Sequence, residues 1–293
     1  MNAKQWFEDK DWTLLEFHGK DRKDFLHRLT TNELPTSSTP LIHNFFLSVN
    51  AKIQAELWVS SQDDHLALFT PTDHVPKLRE CIEQYHFGEK IEIIEPEGQL
   101  FVLKVEENTG LAEISEHCKV FSPDPRYGED CCWCFVPEKS LTLWRKSLLN
   151  SSSEMPEVER ENRRISHGRP QFRVDYDENT LFVEMAQTDD FSESKGCYPG
   201  QEIVARVLHR GRLNKHLRAF HSKEKINSNW VSEVEGKEIA SVRSTVTLED
   251  GSSHGYLLVR RKYDDEVTTL TGRDVTTLTV ASRVGEVLTG DEE

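Results

Sequence analysis

Hydrophobic and polar residues recur along the chain with two different periods, which predict a mixture of strands and helices. The apolar run 13–17 predicts a strand. Shortly after it, Phe25, Leu26 and Leu29 fall on one face of a predicted helix. The polar, proline-containing run 34–40 predicts a loop. The N-terminal segment is therefore expected to form a strand, a helix and a loop in that order.

The next region predicts a unit of strands with one helix. Apolar and polar residues alternate over 53–59, as in a half-buried strand, and 66–69 predicts another strand. A helix is predicted from Thr72, with its end at Gly88. Two further strands are expected, near 90–94 and 100–105. This order predicts an α+β fold and argues against the regular βα alternation of a doubly wound sheet.

The second half of the chain changes to short strands. The serine-rich run 150–153 is the most linker-like stretch, and a helix is predicted from Pro156 to Gly168. From about residue 214 onward, segments rich in Val, Thr and Leu alternate with turns that contain Gly and Asp. These predicted strands are 238–248, 254–261 and 276–281. The pattern is typical of a small β-barrel.

Composition and charge exclude several classes of protein. The chain has 293 residues, with 36 Lys and Arg against 51 Asp and Glu, for a net charge of −15. This balance argues against sequence-independent nucleic-acid binding, which neutralises phosphates with Lys and Arg. No apolar run approaches the roughly 20 residues that span a bilayer, and the charged N-terminus does not resemble a secretory signal. The six cysteines are therefore expected to be reduced thiols in the cytoplasm.

The densest group of chemically informative residues lies at 195–202, which reads KGCYPGQE. Two glycines and a proline around Cys197 exclude a regular helix and predict a tight turn that presents the thiol. Lys195, two residues away, would favour the thiolate, which is the reactive form of cysteine. A structural turn with a semi-buried cysteine explains the same residues equally well.

This segment resembles the K-G-C-Y-x-G-Q-E signature of the YgfZ-type folate-binding proteins. That family is related to the glycine-cleavage T-protein, an aminomethyltransferase. The resemblance covers about residues 13–220 and rests on further short motifs. They are Gly19-Lys20-Asp21, Phe25-Leu26, Thr31-Asn32, Asp124-Pro125-Arg126, Arg164-Ile165, Gly168-Arg169-Pro170, Ala205-Arg206 and His209-Arg210-Gly211.

The resemblance implies a three-lobed, T-protein-like α+β fold. A discontinuous folate-binding domain would comprise residues 1–45 and 158–212. A ferredoxin-like domain would comprise 46–157, and a small β-barrel domain would comprise 213–293. Tetrahydrofolate is the implied cofactor, bound in a central cavity.

The resemblance also implies roles for individual residues. Cys197 would be the functional thiol, with Lys195 beside it as the second catalytic residue. The implied folate-binding residues are Glu184, Tyr198, Gln201, Glu202, Arg206, Arg210 and Arg212. The cysteine would lie close to the reactive edge of the folate.

Two functions follow from this resemblance. The first is a folate-binding accessory protein, without classical turnover, that maintains iron–sulfur enzymes, including those that modify tRNA. The second is a folate-dependent aminomethyl or one-carbon transferase like the T-protein. Asn50 stands where the family often has an Asp, and an amide cannot act as a carboxylate base. This substitution favours the accessory role.

Two features outside the KGCYPGQE segment support the folate hypothesis, and each has an alternative interpretation. Glu184 follows the apolar run 181–183, and its carboxylate would accept hydrogen bonds from a pterin; an acid on the outer face of a strand is the alternative. The run 206–218 has four Arg, one Lys and two His without an acid. It would meet the glutamate tail of a folate, and an RNA phosphate or a solvated strand edge are the alternatives.

No metal site is expected from the cysteines. Cys131, Cys132 and Cys134 include one C-x-x-C pair but lack a second pair at zinc-ribbon spacing. On a strand, Cys132 and Cys134 would face one side and Cys131 the other, so packing in the core is the better interpretation. The expected partners are a folate and iron–sulfur enzymes or their assembly factors. A monomer without RNA or membrane contact is expected.

Overall fold

A computed structural model describes residues 3–36, 39–105, 117–149, 152–187, 189–210, 213–260, 262, 269–273 and 276–280. The chain divides into two compact units. Unit 1 comprises Met1–Met155 and Thr188–Gln201, and unit 2 comprises Pro156–Gln187 and Glu202–Glu293. The three domain boundaries expected from the sequence stay a prediction. Within the described ranges, no helix is long and apolar enough to cross a membrane.

Within the described residues, unit 1 contains two five-stranded sheets and three α-helices. Its strands are β1 (Ala3–Glu8), β2 (Trp12–His18), β3 (Leu41–Leu47), β4 (Ile53–Ser61), β5 (Leu66–Pro71), β6 (Glu92–Ile94), β7 (Gly98–Val105), β8 (Val120–Pro123), β9 (Cys131–Pro137) and β10 (Ser153–Glu154). Its helices are α1 (Arg22–Leu29), α2 (Val75–Tyr85) and α3 (Leu141–Leu149). The strand orders are β3-β4-β5-β2-β6 and β10-β1-β7-β9-β8. The helices predicted around Phe25 and from Thr72 are confirmed, although 72–74 forms a 3-10 turn before α2.

The core of unit 1 is layered, because the sheet β3-β4-β5-β2-β6 is apolar on both faces. On one face, Phe25 of α1 and Leu78 of α2 are buried against the strands. On the other face, Trp58 and Phe69 pack with Trp133 of the second sheet. A third cluster covers the far face of that second sheet with α3. The order of layers is therefore helices, sheet, sheet and helix.

This layering explains why β4 differs from its prediction. The alternation over 53–59 predicted a half-buried strand, but Glu56, Trp58 and Ser60 are buried as well as the apolar positions. The second sheet, not solvent, covers that face. The polar residues Glu56 and Ser60 of β4 are therefore buried and do not face solvent.

Strand β9 separates its cysteines as the sequence predicted. Cys131 packs in the cluster between the sheets, and Cys134 packs in the cluster under α3. Cys131 and Cys132 are free and buried. Cys134 instead forms a disulfide with Cys118, with a Cα–Cα distance of 5.8 Å. The expectation of six reduced thiols is wrong for this pair, because adjacent strands bring together cysteines that no motif connects.

The described part of unit 2 contains one six-stranded sheet and two α-helices. The helices are α4 (Glu157–Ser166) and α5 (Gln201–Arg210), and α5 begins at the last residue of unit 1. The strands are β11 (Lys215–Ser222), β12 (Val231–Val234), β13 (Lys237–Thr247), β14 (Ser253–Arg260), β15 (Thr269–Thr271) and β16 (Thr277–Val280). Their order, β12-β13-β14-β11-β16-β15, forms a barrel-like sheet around an apolar core. The predicted C-terminal barrel and α+β class are confirmed.

Buried polar contacts attach the sheet of unit 2 to α4 and the segment after it. Arg164 donates to Asp175 Oδ2 at 2.7 Å and to the carbonyl of Arg169 at 2.8 Å. The other carboxylate oxygen of Asp175 accepts from the Ser244 hydroxyl of β13 at 2.6 Å. The Tyr256 hydroxyl of β14 donates to the backbone carbonyl of Ile165 at 3.1 Å. These contacts hold residues 164–175 on the sheet. Glu184 follows this segment in the sequence.

Candidate functional site

Cys197 lies on the surface of unit 1, in the turn that the sequence predicted. Its side chain is exposed, whereas the other free cysteines, Cys81, Cys131 and Cys132, are buried. Burial raises the pKa of the Cys81 thiol, and it raises the pKa of the Cys132 thiol to about 11. The remaining pair is oxidised to a disulfide. Access therefore favours reaction at Cys197, and the raised pKa values of Cys81 and Cys132 disfavour reaction at those two thiols.

Close backbone packing joins this turn to the turn that carries Asn50. Gly200 has a φ of +84°, and a Cβ on it would lie 2.6 Å from the Ser48 carbonyl oxygen. Ala51, fully buried, also has a positive φ of 57°. The Ala51 amide donates to the Ser48 carbonyl at 2.9 Å, which closes the second turn. Only a residue without a side chain fits at position 200, so the glycine fixes the position of the cysteine turn.

The segment before the cysteine is docked on the end of α1 by hydrogen bonds. The Thr31 hydroxyl donates to the Asp190 carbonyl at 2.8 Å. The Asn32 amide group donates to the Asp189 carbonyl at 2.7 Å. The Ser192 backbone amide in turn donates to the Thr31 carbonyl at 3.0 Å. The Thr31-Asn32 motif of the resemblance thus has a structural role, which is to hold residues 189–192.

Lys195 is a positioning residue in this structure. Its buried ammonium donates to the carbonyls of His27 at 2.6 Å, Thr30 at 2.5 Å and Asn32 at 2.9 Å. These carbonyls lie at the C-terminal end of α1, where backbone acceptors lack helical partners. Burial lowers the pKa of Lys195 to about 8. Because its donors are used by backbone carbonyls, an effect of Lys195 on the Cys197 thiolate stays a prediction.

A buried histidine between two acids holds the same segment from the other side. His43 Nδ1 lies 2.6 Å from Asp190 Oδ1, and His43 Nε2 lies 2.9 Å from Glu56 Oε1. The imidazole stacks on Trp58 with a centroid distance of 4.2 Å. Burial alone would lower the pKa of His43, but the two carboxylates outweigh it and raise that pKa. The sequence analysis missed this group, since its members are far apart in the chain.

This geometry predicts the order in which the cysteines react. Brief alkylation of the native protein near neutral pH should label Cys197 first. The other free thiols are buried, so the reagent does not reach them and their thiolate forms are disfavoured. Peptide mapping by mass spectrometry after a time course measures the order. Faster labelling of Cys81, Cys131 or Cys132 than of Cys197 would contradict the assignment.

Glu184 lies on a cleft of unit 2 with a volume of about 80 Å³. It ends a 3-10 turn, Phe182–Glu184, so the alternative of an acid on a strand is wrong. Glu184 Oε2 accepts from the Leu181 amide at 3.1 Å and lies 3.8 Å from the Lys215 ammonium. Burial raises the pKa of Glu184, and Lys215 opposes that rise. Among the described residues, no donor reaches Glu184 Oε1, which keeps its capacity to accept.

The other described residues that were predicted to bind folate do not line this cleft. Tyr198 is buried in unit 1, and its pKa is raised by burial to about 12. Gln201 and Glu202 begin α5, and Glu202 and Arg206 are exposed on it. The side chain of Arg210 and all of Arg212 lie outside the described residues. The basic side chains that line the cleft with Glu184 are instead Arg173, Lys215 and Arg243.

Known proteins resemble this chain in part of its sequence and in its fold. No protein-family model matches the sequence. A chloroplastic protein of Arabidopsis thaliana, named as a candidate transferase, is 26% identical over 124 residues. That match covers 41% of this chain and only 29% of the Arabidopsis protein. The chain therefore corresponds to less than a third of that relative.

A solved structure matches nearly the whole chain. The aminomethyltransferase T of the glycine cleavage system from Bartonella henselae superposes with a TM-score of 0.75 and 14% sequence identity. The match covers 96% of this chain and 86% of the Bartonella protein. The T-protein-like fold implied by the sequence motifs is confirmed: this chain has the fold of the glycine-cleavage aminomethyltransferase T.

Proposed function

We propose that the protein binds a reduced folate through the cleft of unit 2. The observation that carries the proposal is the buried carboxylate of Glu184, which lines this cleft and has an oxygen without a donor among the described residues. A ligand donor that reaches this oxygen would make a charge-assisted hydrogen bond, which is stronger than one between neutral groups. The T-protein fold supports the choice of ligand, since the Bartonella neighbour is an aminomethyltransferase.

The residues of the cleft suit the two ends of a folate. The amino group and ring N–H of a pterin form a planar pair of donors, which a carboxylate such as Glu184 accepts. Lys215 stays beside Glu184, 3.8 Å from its Oε2, and Arg243 supplies a cation for a carboxylate of the glutamate tail. Arg243 replaces Arg206 in our assignment of the tail, because Arg206 does not line this cleft. Bound folate would supply one-carbon chemistry.

We further propose an accessory role in the cytoplasm, in the maintenance of iron–sulfur enzymes, including those that act on tRNA. The KGCYPGQE resemblance supports this role, and so does the exposure of Cys197. Asn50 argues against the transferase alternative, because its turn packs on Gly200 of the signature and offers an amide where a base would be needed. A monomer without direct RNA contact remains our expectation.

Glu184→Gln should weaken folate binding by roughly 10- to 100-fold, about 1–3 kcal/mol, because a neutral amide replaces a charged acceptor and adds an unpaired donor. Calorimetric titration with tetrahydrofolate or its 5-formyl derivative measures the change. Glu178→Gln is the matched control, since Glu178 is exposed on the same segment. Equal affinities for the wild type and Glu184→Gln would remove Glu184 from the site.

One reaction separates the two functions. The protein is incubated with tetrahydrofolate and an aminomethyl donor, and methylene-tetrahydrofolate is measured against enzyme concentration. We expect no more product than enzyme, since the accessory role needs no turnover. Many turnovers per chain would replace the accessory role with the transferase.

A further inference from the structure

A group of polar side chains lies at one end of β2 and β5. In the sequence, its members are far from Glu184 and Cys197. Phe17 of β2 pairs with Leu66 of β5, so the next positions, His18 and His65, are neighbours across the two strands. Glu16 lies two residues before His18 and therefore on the same face of the sheet. Asp64 belongs to the short turn that joins β4 to β5.

The contacts show that these side chains converge. His18 Nε2 lies 3.2 Å from Glu16 Oε2, and His65 Nε2 lies 3.8 Å from Glu16 Oε1. His65 Nδ1 lies 2.6 Å from Asp64 Oδ1. One ligand atom from each of His18, Asp64 and His65 lies within 4.8 Å of the others. Three potential metal ligands of the N and O type thus lie close together, and the Glu16 carboxylate lies beside both histidines.

Two buried atoms in this group have no hydrogen bond among the described residues. They are His65 Nε2 and Glu16 Oε1, and the second is ion-paired with Lys119. In a neutral His65, the short contact of Nδ1 with Asp64 would hold the ring proton on Nδ1 and leave a lone pair on Nε2. A histidine oriented by a carboxylate, with its second nitrogen free, is the usual arrangement around a metal ion. The tautomer of His65 is therefore already the one that a metal requires.

The local charge also favours a cation. Glu16 is buried, and its compensation is Lys119, whose ammonium lies 2.6 Å from Oε1. Asp64 adds a second carboxylate. With both imidazoles neutral, the two carboxylates and the one ammonium give the group a net negative charge. The rings of His18 and His65 are stacked with centroids 4.9 Å apart. One ring must turn for both lone pairs to converge, and His18, with 24% of its side chain exposed, has room to do so.

We propose that His18 and His65, with a carboxylate oxygen of Glu16, form a binding site for one divalent zinc ion. Asp64 is the positioning residue that fixes the tautomer of His65. Two imidazoles and a carboxylate are a zinc donor set, and a fourth position would be open to water. The sequence analysis expected no metal because it considered only cysteines, and His18 and His65 are distant in the chain.

Zinc binding to the full-length protein tests this site. The protein is treated with a chelator, Cys197 is blocked with iodoacetamide, and Zn²⁺ is titrated in competition with a chromophoric chelator. We expect one zinc ion per chain. His18→Gln and His65→Gln should each weaken binding roughly tenfold or more, and Asp64→Asn should weaken it roughly 10- to 100-fold. His27→Gln, which changes a histidine outside the group, should leave binding unchanged.

A second measurement needs no variant. Substoichiometric Zn²⁺ should shift the imidazole NMR resonances of His18 and His65 in the wild-type protein and leave those of His27 and His167 in place. Stoichiometric binding with these shifts supports the site even if a variant folds poorly. Absence of stoichiometric binding, an unchanged affinity in a folded His65→Gln protein, or shifts only at other histidines would overturn the proposal.

Discussion

Cys197→Ser is expected to abolish the support of iron–sulfur enzymes in cells that lack the native protein. Serine has nearly the same shape, but its hydroxyl does not ionise near neutral pH and binds soft metals poorly, so the substitution removes the thiolate alone. Because Cys197 is exposed, the free energy of unfolding should change by no more than about 0.5 kcal/mol. Folate affinity should also be unchanged, since we assign the contact with the ligand to the Glu184 carboxylate and not to the thiol.

The measurement is the activity of an iron–sulfur enzyme in complemented cells, at matched expression of each variant. Ser194→Ala is the matched control, because Ser194 is exposed in the same segment, three residues before the cysteine. The control should complement fully. Full complementation by Cys197→Ser would show that the turn is only structural, and equal loss in Ser194→Ala would assign the effect to the segment and not to the thiol.

Local patterns predicted most of the elements in this protein. The helix around Phe25, the helix from Thr72 and the strand at 66–69 are present because each needs only the spacing of neighbouring residues. The C-terminal strands were predicted for the same reason. Burial was predicted less well. The alternation in β4 predicted one solvent-exposed face, but the second sheet covers that face. Only the tertiary structure determines what covers a strand.

The candidate site shows a similar division. The exposed turn at Cys197 was predicted from its glycines and proline, which act locally. The ammonium of Lys195 instead reaches carbonyls more than 160 positions earlier in the chain. His43 meets Asp190 across 147 positions. No spacing rule links such residues. The sequence therefore predicted that Lys195 acts on the thiol of Cys197, whereas the structure shows its ammonium bound to backbone carbonyls.

The motifs that carry the family resemblance make structural contacts in this chain. Thr31 and Asn32 hold the segment before the signature. Arg164 anchors the segment after α4 by its contact with Asp175. Such motifs identify a fold because they are the polar contacts its core requires. They say less about chemistry, for which we propose the exposed thiol of Cys197 and the carboxylate of Glu184.

The Asp124-Pro125-Arg126 motif is the strongest example, and it makes the second large prediction. The buried guanidinium of Arg126 contacts Asp124 at 2.8 Å and Asp9 at 2.6 Å. Its carbon lies 4.3 Å from the Trp12 ring centroid and 4.6 Å from that of Trp133. Burial raises the pKa of Asp124, and Arg126 opposes that rise. One cation thus compensates two buried carboxylates.

Arg126→Met should lower the free energy of unfolding of unit 1 by about 3–5 kcal/mol at pH 7, because it leaves two buried carboxylates without a cation. Urea unfolding followed by tryptophan fluorescence measures the loss. Burial already raises the pKa of Asp124, and the substitution removes the cation that opposes that rise. The contribution of Asp124 is present below its unfolded pKa and is lost as the pH rises through its folded pKa, so the deficit should be smaller at pH 5 than at pH 8.

Two further variants test this explanation. Arg145→Met removes a partly exposed arginine that pairs with Glu8, and it should cost less than about 1 kcal/mol. Adding Asp9→Asn and Asp124→Asn to Arg126→Met removes the stranded charges and should recover part of the stability. If Arg126→Met costs no more than Arg145→Met, or if the triple variant is no more stable than Arg126→Met, the core of unit 1 does not depend on the compensation of these charges. The aromatic packing around the guanidinium would then be the reason for the motif.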